Sequence, residues 1–298
     1  MKKLIPIDPF EVFLWTFRRN EKDVVNLYNT FSDVMRLATG GDMLNFGYWT
    51  GKSREPIEAQ IELCKVFGAL ADLQTGKRVV DVGSGLSAPS IQWKLQFNFL
   101  EITCLNINLN QLKQSSEIIR KTLRKSNGDF VDGMNLLNAT STSLPFMDES
   151  VDRVLALESA HHLKPLDNFI SESKRILKKE GILALAIPVV NEKKIPIVKL
   201  GLLSMTWSSE HYSIDYIKSS LTDCGFRILK IQKIGSMVYE PLANYYIENR
   251  NSLKNKILSK YPSYVEKILF KSLNKMKQVS ERNVIDYLLI KCGKEKEG

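Results

Sequence analysis

Apolar positions follow two different rhythms along this chain. Through residue 75 they recur at helical spacing, as at Val24, Val25, Leu27, Tyr28 and Phe31. Pro56 suits a first helical turn and opens a second helix, expected to run to Leu73 with Ile57, Ile61, Leu63 and Phe67 toward a core. From residue 78 the apolar residues gather into short runs at 78–82, 101–105, 134–139, 151–157, 182–187, 226–231 and 284–290. Helical stretches separate most of them, for example 109–125 and 166–178. Strands alternating with helices predict an α/β fold: a seven-stranded, mostly parallel sheet with helices on both faces. The helix 214–223 has Ser213 at the N-cap position and Gly225 just past its end. Residues 240–283 show helical spacing at Ile257, Tyr261, Val265, Ile268 and Leu269 and no strand pattern. The expected organisation is an N-terminal helical segment or lid (1–75), a core (76–240), a helical cap insertion (241–283) and a last core strand with its tail (284–298).

The run VVDVGSGLSAPSIQW, residues 79–93, is where the first strand breaks into small residues and a helix begins. Parallel sheets hold ligands at the carboxyl ends of their strands. Gly83 and Gly85 let the backbone turn tightly and approach a ligand closely, and Ser84 is small. The amides and helix start that follow favour a polar or anionic group. Asp81, just before the turn, is placed to organise the loop or to meet a cation through water. A dinucleotide fingerprint needs G-x-G-x-x-G and an acid about 20 residues on. Here the third position is Ala88, and the second strand ends Leu105-Asn106-Ile107-Asn108, with no acid. The amide of Asn106 still offers a donor and an acceptor to a ribose diol.

Five stretches, in order, resemble the motifs of class I S-adenosylmethionine-dependent methyltransferases. The nearest likeness is to the erythromycin 3''-O-methyltransferase type, with sterol and tocopherol methyltransferases as cousins. The stretches are LNFGYW (44–49), VVDVGSGLSAPSIQW (79–93), CLNINLNQ (104–111), NATSTSLPF (138–146) and SVDRVLALESAHH (150–162), with YLLIK (287–291) as weaker support for a last strand. The resemblance covers roughly residues 40–235 and implies a Rossmann-like core, methyl transfer as the activity, S-adenosylmethionine as cofactor and no metal. It further implies that Tyr48, Trp49, Asp81, Gly83, Ser84, Gly85, Asn106, Ile107, Gln111, Thr140, Ser141 and Glu158 hold the cofactor. The chain departs from the pattern at three places. Ser87 stands at the third glycine, Asn106 replaces the usual acid of the second strand, and no acid lies near Thr140–Ser141 to meet an adenine.

An alcohol that accepts a methyl group must lose a proton, and a base poised near neutral pH removes it best. His161 and His162 lie beside Glu158 just past the fourth strand, at the ligand-binding edge. Adjacent residues in a turning segment point different ways, so one of the pair faces a substrate while the other packs. The resemblance favours His162 as the base, with Glu158 orienting it or binding a substrate hydroxyl. Histidines capping the following helix fit the same spacing. His211, near Trp207, reads as structural. Tyr48 and Trp49 follow a Gly47 hinge and fit two roles. One is closure over the cofactor, where a sulfonium against an aromatic face gains about 0.5–2 kcal/mol. The other is anchorage of an N-terminal helix. Apolar and aromatic segments at 5–17, 195–207 and 237–247 suggest a hydrophobic cap, hence a lipophilic acceptor such as a polyketide glycoside, terpenoid, quinone or lipid.

Composition narrows the classes. With 44% hydrophobic residues in 298, the chain can bury a full core. The net charge of +9 is uneven, since residues 241–298 hold 12 Lys/Arg against 6 Asp/Glu. A basic segment of this kind fits a solvated helical face first, and RNA or anionic lipid second. No RNA-binding module or aromatic-rich basic stripe is visible, so no specific nucleic acid is expected. The start, MKKLIPIDPFEVFLWTFRRN, lacks a small-residue cleavage site and reads as mature protein, with peripheral membrane contact compatible with its amphipathic pattern. Cys64, Cys104, Cys224 and Cys292 are far apart, which points to reduced thiols and a cytoplasmic location. Three readings compete with oxygen methylation: carbon methylation of an isoprenoid, sterol or quinone, RNA methylation, and a catalytically silent scaffold motivated by Ser87 and the missing acids.

Overall fold

The structure, a computed structural model, describes residues 5, 7, 8, 10, 20–123, 132–191 and 210–294. Most of the segment 5–17, all of 195–207 and Trp207 lie outside the described residues. Two helices precede the sheet, α1 (Glu21–Thr39) and α2 (Pro56–Leu70). A reciprocal cap starts α1: Asp23 N donates to Asn20 Oδ1 at 3.1 Å and Asn20 N to Asp23 Oδ2 at 3.1 Å. Pro56 opens α2 as expected, but α2 stops at Leu70 rather than Leu73. The backbone at Asp72 turns left-handed (φ 49°) and tightens into a 3-10 turn at Leu73–Thr75. Its buried face runs through Ala59, Leu63 and Phe67, with Ile57 and Ile61 half-buried on the flank.

The alternating region is β1 (Arg78–Val82), α3 (Ala88–Gln96), β2 (Glu101–Leu105), α4 (Leu109–Thr122), β3 (Met134–Leu137), β4 (Val151–Leu157), α5 (Leu166–Ile176) and β5 (Leu177–Val190). It continues with α6 (Ile214–Asp223), β6 (Phe226–Lys233), α7 (Tyr239–Glu248), α8 (Arg250–Leu258), α9 (Ser263–Glu281) and β7 (Ile285–Lys294). The seven strands form one sheet in the order β3-β2-β1-β4-β5-β7-β6. β1 to β5 pair in parallel, and β7 runs antiparallel to both of its neighbours. The α/β class and the mostly parallel seven-stranded sheet are as expected. Strand order reverses between β1 and β4, which opens a crevice beyond Val82 and Leu157.

Several boundaries differ from the sequence expectation. β5 begins at Leu177, which pairs with Val151, and β7 extends to Lys294, which pairs with Phe226, while the two strands pair with each other from Ile182↔Gly293 to Val190↔Ile285. Their ends carry Lys178, Lys179, Lys291 and Lys294, so the apolar runs marked only the buried middle. α5 ends at Ile176, since Leu177 already pairs with Val151. α4 stops at Thr122 and β3 at Leu137.

Side chains alternate across the sheet into two cores. Val79, Ile102, Leu155 and Leu289 pack with Leu63, Phe67, Trp93 and the helices α7 to α9. Val80, Val82, Val154 and Leu288 pack with Phe169 and Ile170 of α5 and Ile217 and Leu221 of α6. Each fully buried side chain of this size contributes about 1.5–3 kcal/mol. The stretch 237–247 is core rather than open cap surface: Tyr239, Leu242, Ala243 and Tyr246 are buried, and Tyr239 Oη donates to Asp286 O at 3.1 Å. All four cysteines are free thiols. Among the described residues no helix is long and apolar enough to cross a membrane.

Candidate active site

The glycine loop leaves β1 in a left-handed turn, with φ of 74° at Gly83 and 55° at Gly85. A Cβ on Gly83 would sit 2.5 Å from Ser159 Cβ, so only glycine lets β1 and β4 approach at this level. Three of the loop amides are already taken: Gly83 N and Ser84 N donate to Leu105 O at 2.8 and 3.1 Å, and Ser87 N to Ser84 O at 2.7 Å. What the loop offers is space. A Cβ on Gly85 would find only Leu44 Cδ1 within 4 Å, at 3.8 Å, and Gly85 lines a cavity. Ser87 supplies the left-handed backbone (φ 59°) of the missing third glycine and donates from Oγ to Ser115 Oγ at 3.2 Å.

Asp81 does not line the cavity. It is buried and accepts a 2.6 Å hydrogen bond from Ser90 Oγ, tying β1 to α3, and burial pushes its carboxyl up to about 6. Asn106 lines the cavity, yet its donors turn inward, to Gly85 O at 3.1 Å and Gln111 Oε1 at 2.9 Å. Its Oδ1 accepts from Asn108 N at 3.0 Å. Asn106 therefore braces the loop, and the expected free amide for a ribose diol is not there. Ile107, Gln111 and Ser141 line the cavity. Thr140 does not, and its hydroxyl donates to Glu21 Oε1 at 2.8 Å.

Tyr48 and Trp49 also stand outside the cavity. Tyr48 N donates to Ala59 O at 2.8 Å, while Trp49 N donates to Met237 O at 2.8 Å and Trp49 Nε1 to Phe46 O at 3.3 Å. The Trp49 ring lies 5.8 Å from Tyr245. Gly47 is a packing position, not a hinge, because a Cβ there would strike Ala59 Cβ at 2.8 Å. Hydrophobic anchorage explains these aromatics. From this segment Leu44 and Asn45 line the cavity, and sequence reasoning missed Asn45. It is buried, and neither Oδ1 nor Nδ2 has a hydrogen-bond partner. Nothing in the pattern LNFGYW marks it, because the signal is the absence of partners in three dimensions.

Helix α1 closes the cavity, of about 930 Å³, with Glu21, Val24, Val25 and Tyr28 in its wall. Polar contacts hold α1 over three strand ends: Glu21 to Thr140, Asn29 Oδ1 to Asn108 Nδ2 at 3.0 Å, and Tyr28 Oη to His162 Nε2 at 3.0 Å. A second cavity, of about 920 Å³, lies beyond, between α1 and α9. The two share Tyr28, Leu44, Glu158 and His162 in their walls.

These shared residues form the junction. Glu158 leaves β4 with φ of 52° and accepts from Phe46 N at 3.0 Å and Tyr287 Oη at 2.9 Å. Burial pushes its carboxyl up to about 8, and these hydrogen bonds oppose the rise. His161 and His162 sit in a 3-10 turn with ring centroids 4.1 Å apart. Burial, with His162 and His211 beside it, holds His161 well below the usual imidazole range, so its ring is neutral. Burial first and Glu158 second push the Tyr28 phenol up, so it keeps its proton. Among the described residues no three His, Cys, Asp or Glu side chains gather as metal ligands.

A family model described as a methyltransferase domain matches residues 80–185. The chain is 26% identical over 268 residues to erythromycin 3''-O-methyltransferase of Saccharopolyspora erythraea, covering 86% of each chain. It is 30% identical over 158 residues to 27-O-demethylrifamycin SV methyltransferase of Amycolatopsis mediterranei, covering 53% of this chain and 55% of that one. The cyclopropane synthase MmaA2 from Mycobacterium tuberculosis shares the fold, with a TM-score of 0.78 at 17% identity over 92% of this chain and 98% of that one.

Proposed function

We propose that this chain, which belongs to the class I S-adenosylmethionine-dependent methyltransferases, moves a methyl group onto a hydroxyl oxygen of a small, lipophilic acceptor. The observation that carries this reading is the pair of cavities meeting at Tyr28, Leu44, Glu158 and His162. S-adenosylmethionine supplies an electrophilic methyl on a sulfonium when bound. The first cavity fits it: Gly85 leaves its wall open and the unpartnered amide of Asn45 faces it. We assign the nucleoside to the β2 and β3 ends, against Ile107, Gln111 and Ser141, and the amino-acid end to Asn45, Ser84 and Gly85. The second cavity, mostly apolar with Phe31, Met35, Leu269 and Met276 in its wall, receives the acceptor.

The residues divide the work. α1 and the helical insertion exclude water, which strengthens each polar contact inside. Alignment of two reactants at the junction is worth up to about 7–11 kcal/mol in well-oriented reactions. His162 is the base. An acceptor hydroxyl takes the place on Nε2 that Tyr28 Oη holds here, and gives up its proton to that nitrogen. Glu158 stays at the junction, held by Phe46 N and Tyr287, and its ionised form favours a nearby cation. Carbon methylation of an alkene is the second reading, favoured by the aromatic wall of Tyr28 and Phe46 beside Glu158. Incubation with methyl-labelled cofactor and a panel of macrolide glycosides, terpenoid alcohols and quinols tests the choice. Label on oxygen, lost in His162→Ala, supports the reading; label on carbon, retained in that variant, overturns it.

A further inference from the structure

Buried helical serines in this chain commonly find a partner for the hydroxyl, Ser90 on Asp81 and Ser280 on Glu240 of other elements, and others on their own helix. Ser32, Ser115 and Ser173 donate to the carbonyls of Tyr28, Gln111 and Phe169, four residues back. Ser272 of α9 does not. Its hydroxyl is buried with no hydrogen-bond partner, and the residue is only 7% exposed. It stands in the wall of the second cavity among Ile268, Leu269, Leu273 and Met276. A hydroxyl buried in such company, off the backbone, costs stability unless something else meets it. The opposite wall repeats the observation: His161, 8% exposed, lines the same cavity with Nδ1 unpartnered. Two residues that line one mostly apolar chamber thus hold buried polar atoms that no protein group satisfies.

We propose that the second cavity takes a predominantly apolar acceptor carrying two separated oxygen functions, one methylated at the junction and the other hydrogen-bonded by Ser272 Oγ. The inference rests on the reading of this cavity as the acceptor site. A serine hydroxyl donates and accepts, so a hydroxyl, carbonyl or ether oxygen satisfies it, whereas a hydrocarbon surface does not. The acceptor class is a polyoxygenated lipophile, not a hydrocarbon chain with a single polar head. Ser272 is then a specificity-determining residue, because a site built to hydrogen-bond an oxygen rejects the analogue that lacks it.

The test uses the full chain loaded with S-adenosylhomocysteine. Binding of α,ω-alkanediols of about six to fourteen carbons is measured by calorimetry against the matching 1-alkanols; a single neutral hydrogen bond sets the scale of the difference. The expected result is a chain length at which the diol binds about three- to tenfold tighter than the alkanol. Ser272→Ala brings that ratio to about one without weakening the alkanol or lowering the melting temperature, and Ser272→Thr, which keeps the hydroxyl, restores it. A ratio unchanged in Ser272→Ala, or no favoured diol length, overturns the inference and leaves the acceptor site standing. Failure of both probes to bind a protein that holds S-adenosylhomocysteine overturns the acceptor site itself, and this inference with it.

Discussion

Asn45→Leu should stabilise the ligand-free protein and weaken cofactor binding at once. Asn45 Oδ1 and Nδ2 are both buried without partners, and the residue lines the first cavity. Each unsatisfied buried polar group costs about 1–3 kcal/mol. Leucine is close in shape, and the mismatch costs about 1 kcal/mol in packing. The net expectation is about 1–5 kcal/mol of added stability. At roughly 2–4 °C per kcal/mol for a domain somewhat smaller than this one, the melting temperature rises by about 2–20 °C. The amino-acid end of the cofactor carries an ammonium and a carboxylate, and hydrogen bonds to charged groups are worth about 1.5–3 kcal/mol each. Losing one or both weakens S-adenosylhomocysteine by about 10- to 10⁴-fold. Scanning calorimetry without ligand and titration calorimetry with it read the two signs separately. 5'-Methylthioadenosine, which has the nucleoside but no amino-acid end, should bind wild type and variant within about threefold. A variant that melts lower and binds S-adenosylhomocysteine normally refutes the reasoning. Equal losses for both ligands would show that Asn45 supports the nucleoside instead.

Other outcomes follow from the same geometry. His162→Ala should lower turnover by about 10²–10⁴, while Tyr28→Phe, which removes the phenol hydroxyl from beside Nε2, stays within about tenfold; single-turnover assays with labelled cofactor compare them. Glu158 titrates near 8 in the folded chain and near 4.5 unfolded, so the native state holds the extra proton between these values. Its stabilising contribution is full below about pH 4.5, declines as pH rises and is gone above 8. Glu158→Gln should flatten the fall in urea midpoint between about pH 4.5 and 8, and an unchanged slope would show that the carboxyl is not the source. Gly83→Ala meets Ser159 Cβ at 2.5 Å with φ of 74°, and should cost about 2–4 kcal/mol of folding stability. Gly85→Ala faces open space, and should cost about 1 kcal/mol of folding while impairing S-adenosylmethionine binding.

The strands at 78–82, 101–105 and 151–157 and the helix 214–223 agree with the boundaries read from the chain. Buried parallel strands are apolar runs of strand length, and a serine cap and a following glycine mark a helix by local chemistry. The long β5 and β7 escaped because their ends carry lysines, whose stems pack while their charges reach water. The site divides along the same line. The glycine loop, the histidine pair and Glu158, singled out as strand ends with small residues or titratable groups, line the two cavities, because a strand exit is a local pattern. The contacts of Tyr48, Trp49 and Asn106 were not legible, because what a tryptophan or an amide touches is set by distant segments: Met237 and Tyr245 for Trp49, Gly85 and Gln111 for Asn106.

Local spacing and residue type, then, determined the class of the sheet, the place of the glycine loop and the groups of one strand exit. Only the tertiary structure decided which polar atoms are already satisfied. A hydrogen bond depends on partners that the fold brings from anywhere in the chain, so the unpartnered Asn45 and Ser272, and the meeting of two cavities at Glu158 and His162, exist only once α1 and α9 have packed over the sheet.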